Sequence, residues 1–216
     1  LGEQVTLSVI QSVSNRVAND TANAVVAAMP PAGAGVQVAP AAQQPITRFP
    51  VDADDDPFLG NPNAPIVIIE FTDYQCSFCG LFYQQTFYEL LRLYPNDIKL
   101  VVRDFPINNI HPQASQAAVA ANCAGEQDRY WENQSLIPAG LRPFAEYLNL
   151  DLAAYDDCMQ DPDQLAEVRA DYQAAAEIGV RATPTFFING RPLVGAQPID
   201  VFIDIIEQEL ALLTRQ

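Results

Sequence analysis

Apolar and polar positions change their period several times along the chain, and each change marks an element. Ile66-Val67-Ile68-Ile69 is a short β-branched run that follows the turn-rich Gly60-Asn61-Pro62-Asn63, which predicts a buried strand. Past residue 76 the apolar positions Phe78, Phe82, Phe87, Leu90, Leu91 and Tyr94 recur at helical spacing and stop before Pro95. Ile98-Lys99-Leu100-Val101-Val102 reads as a second strand that ends near Pro106, completing a βαβ unit. From 112 to 179 the signals are almost all helical. Ala114, Ala117, Ala118 and Ala121 make one close-packing stripe; Leu165, Val168, Tyr172, Ala175 and Ile178 make another, closed by Gly179 as a C-cap. Strand signals return at Thr185-Phe186-Phe187-Ile188 and Pro192-Leu193-Val194, joined by Asn189-Gly190, the dipeptide of a tight primed turn. A last helix, with Pro198 in its first turn, presents Ile199, Phe202, Ile206, Leu210 and Leu213. The pattern predicts an α/β domain over residues 51–216 with a helical insertion at about 107–181.

Ahead of that domain, Val5, Val9, Ile10, Val13 and Val17 lie close to one helical stripe, and residues 22–50 are dominated by Ala, Pro, Gln and Gly. Residues 1–50 are therefore expected to be a short amphipathic helix and a semi-stiff linker, serving as a membrane-proximal tether or a dimerisation arm, or else a leader without function. Pro30, Pro31 and Pro40 interrupt the most Ala/Val-rich stretch, so it does not read as a transmembrane helix. A first residue of Leu rather than Met predicts an upstream signal peptide or anchor. Charge narrows the partners: 11 Lys+Arg against 27 Asp+Glu give a net charge of −16, which leaves no basic footprint for nucleic acid. With 49% hydrophobic and 18% charged residues, the chain is too apolar to be disordered.

The candidate chemistry begins where the first strand gives way to its helix. Cys76-Ser77-Phe78-Cys79 puts Cys76 at a helix N-terminus, among free backbone N–H groups that favour a thiolate, and makes it the more exposed of the two. C-x-x-C beside a βαβ unit is a redox signature of the thioredoxin-like fold, with half of a zinc site or a structural disulfide as the competing readings. A zinc site would need four ligands, and the chain offers one histidine and no second close cysteine pair; two methionines argue equally against copper. No metal or other cofactor is therefore expected. Glu70 interrupts an apolar strand six residues before Cys76. Either it is buried, where an unpaired carboxylate costs several kcal/mol and implies a use as proton acceptor for Cys79 through water, or strand alternation points it outward. Pro184 opens the third strand at Thr183-Pro184-Thr185-Phe186, a position where it removes no ladder hydrogen bond.

Glu70, the C-x-x-C and the Thr-Pro, in this order around a helical insertion, resemble the DsbA family of thioredoxin-fold thiol:disulfide oxidoreductases, in particular its bacterial extracytoplasmic branch. The similarity extends to Asp56-Pro57-Phe58-Leu59-Gly60, Glu70-Phe71-Thr72-Asp73-Tyr74-Gln75-Cys76, Arg103-Asp104-Phe105-Pro106, His111-Pro112 and Thr185-Phe186-Phe187-Ile188-Asn189-Gly190, over about residues 52–213. The resemblance implies a thioredoxin-like fold with Cys76 as nucleophile, Cys79 as the buried resolving cysteine and a cis Pro184. Thr183, Pro184, Ser77 and Phe78 would meet substrate, with the Thr183 backbone pairing to an extended chain. Reduced, unfolded secreted proteins would be the substrates, and a membrane quinone-linked oxidoreductase the reoxidising partner. Ser77-Phe78 carries neither the proline nor the histidine of the most oxidising members, so a milder oxidant is expected.

In the extracytoplasmic setting implied by the family, Cys123 and Cys158 read as a structural disulfide, with a second redox relay as the alternative. His111 reads as a capping or packing residue, and Tyr130-Trp131 as core of the insertion. The expected function is an oxidase, acting as a monomer on an N-terminal tether at the periplasm or cell surface. A reductase or isomerase on the same residues, and a non-catalytic peptide-binding or metal-carrying module, are the alternatives.

Overall fold

The apolar run at 66 extends into β2 (Ile66–Thr72), buried along nearly its whole length because its two faces feed separate cores. Ile66 and Ile68 join the larger core, and Ile69 and Phe71 the smaller one on the opposite side. The computed structural model describes residues 46–131 and 141–215. The helix and most of the linker expected over residues 1–50 lie outside the described residues.

β3 (Ile98–Asp104) runs parallel to β2, pairing Ile66 with Ile98 and Thr72 with Asp104. The turn-rich stretch before β2 holds a short edge strand, β1 (Phe58–Gly60), antiparallel to β3. On the other side β4 (Thr185–Ile188) is antiparallel to β2, and β5 (Arg191–Val194) closes the hairpin, giving the order β1-β3-β2-β4-β5. Asn189 and Gly190 have φ of 46° and 82°, the two positive values that the primed turn requires. A Cβ on Gly190 would also stand 2.6 Å from the Phe49 carbonyl oxygen, so glycine is needed there twice over.

The helix expected between the first two strands is broken. α1 (Ser77–Phe82) passes into a π-helical turn (Tyr83–Phe87) and then α2 (Tyr88–Leu93). The extra residue lets Phe82 and Phe87, five apart, both be buried. Phe78, grouped with that apolar stripe in the sequence, is instead 60% exposed.

The insertion contains α3 (Ala114–Gly125), α4 (Leu141–Tyr147), α5 (Leu152–Cys158) and α6 (Pro162–Glu177). Asp151 caps α5 by accepting from the N–H groups of Ala153 and Ala154; Asp161 caps α6, with Pro162 at its first position. Cys123 and Cys158 are joined in a disulfide with Cα atoms 5.7 Å apart, tying α3 to α5. Closing a loop with a sequence separation of 35 restricts the unfolded chain enough to stabilise the fold by about 4 kcal/mol.

Two helices depart from the apolar stripes read in the sequence. On α6, Val168 and Ala175 are buried, but so is Asp171, while Tyr172 is 42% exposed and stacks on Phe105 with ring centroids 4.6 Å apart. On α7 (Ile199–Leu213), which has Pro198 as its N-cap, Phe202 and Ile206 face the core, yet Leu213 is exposed. Glu209 is buried there instead, because Arg48 and Arg191 pair with it at 2.8 and 3.1 Å. Among the described residues no helix is long and apolar enough to cross a membrane.

Candidate active site

β2 ends at Thr72, and Asp73 turns the chain into α1. Its Oδ1 accepts from the Gln75 N–H, its Oδ2 accepts from the Ile107 N–H and lies 2.8 Å from His111 Nδ1, and its carbonyl accepts from the Cys76 N–H. His111 is thus a packing partner of the turn, tying the entry of the helical insertion to the site. These bonds set Cys76 at the N-cap of α1, with Cys79 one turn inside. Both cysteines are thiols and both are buried, Cys76 at 7% and Cys79 at 3% exposure. Cys76 is the more exposed of the two, as expected, although the loop before Pro184 covers most of it: the Cys76 thiol donates to the Thr183 carbonyl at 3.4 Å. The Thr183–Pro184 peptide is cis. Ser77 and Phe78 stand exposed beside this point.

The two sulfurs are electrostatically unequal. The Cys76 pKa is lowered to about 5, chiefly by the hydrogen bond from Cys79; the Thr183 side chain and the backbone N–H groups of Cys79 and Phe78 add to this, against the opposing effect of burial. No imidazolium or basic side chain takes part, so the stabilisation comes from neutral donors. The Thr183 hydroxyl is buried without a partner while Cys76 is a thiol, so it is free to turn toward the thiolate. Burial pushes Cys79 well above the ordinary thiol range, and the Cys76 hydrogen bond and the Glu70 charge push it further.

Of the two readings of Glu70, the inward one is observed: its exposure is 0%, and desolvation raises its pKa to about 8 against the lowering effect of Tyr83 and Thr72. Tyr83 donates to Glu70 Oε2 at 2.7 Å. Thr72, on the same strand face two residues beyond Glu70, favours the charged forms of both Glu70 and Cys79. The structure therefore brings Cys76, Cys79, Glu70, Thr183 and Pro184 to one end of the sheet, and Cys123 and Cys158 into the helical insertion. Sequence reasoning missed Thr72, Asp73 and Tyr83. The legible signals were strand alternation from Glu70 to Thr72 and one helical turn from Cys79 to Tyr83.

Tyr130 and Trp131 pack into the larger core as expected, and the Tyr130 hydroxyl meets that of Tyr74 at 2.7 Å. Beside the site lies a buried ionic cluster. Arg103 donates through Nε and Nη2 to Asp171 Oδ1, with Asp56 Oδ2 2.9 Å from Nε and Asp54 3.4 Å from Nη2. The N–H of Asp104, the residue paired with Thr72, donates to Asp171 Oδ2 at 2.7 Å.

Comparison with known proteins agrees with this geometry. The family model described as Thioredoxin matches residues 52–208. Alpha-DsbA1 of Wolbachia pipientis superposes with a TM-score of 0.67 at 22% identity, over 77% of this chain and 97% of its own. A thioredoxin-like oxidoreductase from Silicibacter pomeroyi DSS-3 gives 0.63 at 25% identity, over 71% and 91%. Among curated sequences, the protein named Na(+)/H(+) antiporter NhaA 1 of Salinispora arenicola (strain CNS-205) is 36% identical over 159 residues, 70% of this chain but 24% of that protein. The chain thus spans about a quarter of the length of that relative. By the family match over residues 52–208 and by its fold, the chain belongs to the thioredoxin family, as a DsbA-like thioredoxin-fold protein.

Proposed function

We propose that the chain is an extracytoplasmic thiol:disulfide oxidoreductase that acts as an oxidase, donating its Cys76-Cys79 disulfide to reduced, unfolded secreted proteins. The observation that carries this reading is the inequality of the two sulfurs: a Cys76 pKa of about 5 beside a Cys79 whose pKa is raised. A substrate thiolate attacks Cys76, the Cys76-Cys79 bond breaks, and Cys79 leaves and takes up a proton. A second substrate thiolate then attacks the substrate sulfur of the mixed disulfide, releasing oxidised substrate and the Cys76 thiolate, a good leaving group because of its low pKa. The Thr183 carbonyl, 3.4 Å from Cys76 Sγ, supplies a backbone edge against which an extended substrate can lie. Glu70, buried below the pair, accepts and returns the Cys79 proton. A membrane quinone-linked oxidoreductase would restore the disulfide, and an N-terminal tether at the membrane would suit that partner.

Cys79→Ser, with Cys76 first converted to its mixed disulfide with glutathione, is expected to exchange glutathione for a thiol of reduced, unfolded protein and to accumulate that Cys76 adduct, seen as a reductant-sensitive species by mass spectrometry. Cys76→Ser should abolish both adducts and transfer. Substrate binding that survives Cys76→Ser, with no transfer by the parent protein, would instead support a peptide-binding module. With Ser77-Phe78 between its cysteines the protein is on this reading a milder oxidant than the strongest DsbA proteins, and a Cys76/Cys79 potential as oxidising as theirs would overturn that part of it.

A further inference from the structure

The helix that carries Cys76 and Cys79 gains its extra residue in the π-helical turn Tyr83–Phe87, and the first residue of that turn reaches back to the strand. Tyr83 Oη donates to Glu70 Oε2 at 2.7 Å. Both residues are sealed from solvent, Glu70 at 0% and Tyr83 at 2% exposure. The other carboxyl oxygen, Oε1, is equally buried and has no hydrogen-bond partner. Glu70 is therefore held asymmetrically, with one oxygen anchored by Tyr83 and the other without a protein donor. An unpartnered buried oxygen is costly, and such an atom in a native fold calls for a use.

The titratable groups that face this carboxyl are few. Cys76 and Cys79 bear on it from α1 and Tyr83 from the π-helical turn, with Tyr74 and Tyr130 close to Tyr83; Thr72 adds an uncharged hydroxyl from β2. None of the groups that shift Glu70 is a cation, and Tyr83 gives the largest support to its charged form.

We propose that Tyr83 is a positioning residue for thiol exchange: by donating to Oε2 it fixes the Glu70 carboxyl and reserves Oε1 for the proton of Cys79. The proposal rests on the exchange reading above and names a residue through which the Glu70 site works. Oxidation of the dithiol by glutathione disulfide sets out the step. The Cys76 thiolate attacks the glutathione disulfide, forming a Cys76-glutathione bond and expelling one glutathione thiolate. The Cys79 proton then passes, by way of water, to Glu70 Oε1. The electron pair left on Cys79 Sγ attacks Cys76 Sγ, the Cys76-glutathione bond breaks, and the second glutathione leaves as a thiolate. Two protein thiols are oxidised and one glutathione disulfide is reduced. Glu70 must be ionised to accept that proton, and a hydrogen bond donated to its carboxylate keeps it so at lower pH.

The test is Tyr83→Phe in the full chain, with the two steps resolved by rapid acid quench and mass spectrometry from pH 5 to pH 10. In the parent protein the second step should rise with a midpoint near the Glu70 pKa of about 8. In Tyr83→Phe that midpoint should move up by about one pH unit, a typical effect of losing one donor to a buried carboxylate. The first step, set by Cys76, should keep its profile. Adding Tyr83→Phe to Glu70→Gln should change nothing further. An unchanged second step, or both steps moving together, would overturn the assignment to Tyr83. Failure of the parent protein to form the Cys76-glutathione adduct would overturn the exchange reading and this proposal with it. If Tyr83→Phe does not fold, carbon NMR of the parent protein decides the matter. The Glu70 Cδ and Tyr83 Cζ signals should titrate together, at the midpoint of the second step, and separate midpoints would refute the coupling.

Discussion

Replacing Arg103 with Met is expected to destabilise the fold by about 3–5 kcal/mol, the usual cost of removing one partner from a buried ion pair. For a chain of this length that corresponds to a fall of about 10 °C in Tm. Asp171 is 1% exposed and depends on Arg103 for its compensating charge. Burial would lower the Arg103 pKa, but Asp171, Asp56 and Asp54 outweigh it and hold the guanidinium charged. Without that cation, Asp171 must either remain as a buried anion or take up a proton. Because protonation relieves the penalty, the loss should be smaller at pH 4 than at pH 8. Urea unfolding at both values checks this, and Arg103→Met/Asp171→Leu should recover much of the loss. A single substitution within about 1 kcal/mol of the parent would show that the cluster contributes little. Activity should suffer as well: the Arg103 side chain reaches the Asp52 carbonyl and Asp54 as well as α6, and the Phe105 N–H, two residues on, donates to the Thr72 carbonyl at the start of the active-site turn.

That cluster also marks the limit of what the sequence disclosed. The strands β2 and β4, the Asn189-Gly190 turn and the Phe202–Ile206 face of α7 were legible because period and turn chemistry are local properties. Asp171 was not: an apolar stripe through Leu165, Val168, Tyr172 and Ala175 cannot reveal that the polar residue beside Tyr172 turns inward to meet Arg103 on a different element. The edge strand Phe58–Gly60 was hidden because three residues ending in glycine look like part of the turn that follows. The π-helical turn left a trace, the five-residue step from Phe82 to Phe87, but regular helical spacing absorbed it. At the site, the cysteines, Glu70 and Pro184 were legible as chemical anomalies: a C-x-x-C, an acid in an apolar strand, a proline at a strand start. Thr72 and Tyr83 are ordinary residues: periodicity places them on the faces of Glu70 and Cys79, but only the distances across the fold show that Tyr83 bonds to Glu70.

The remaining large effect is on the pH dependence of stability. Burial raises Glu70 from 4.5 to about 8; burial raises Asp104 to about 8 and Asp56 to about 9, each pushed further by Asp171. In each case the folded state keeps a proton that the unfolded chain releases from about pH 4 upward. The native form therefore binds more protons across that range, and stability must fall as pH rises. The contribution of each group is fully present below its unfolded pKa, is lost progressively above it, and levels off past its folded pKa. For Glu70 alone the change corresponds to roughly 4–5 kcal/mol between pH 4 and pH 9, taken at 1.36 kcal/mol for each tenfold change in proton affinity. Glu70→Gln cannot release that proton, so its stability curve should be flatter by that amount, whatever its offset at low pH. Urea titrations between pH 4 and pH 9 measure the difference, with Cys76→Ser and Cys79→Ser in both arms and the Cys123-Cys158 disulfide intact. The decline due to Asp56 and Asp104 is common to the two arms and cancels. Parallel curves would mean that Glu70 titrates as an ordinary carboxyl despite its burial, and would remove the physical basis for using it as the proton acceptor of Cys79.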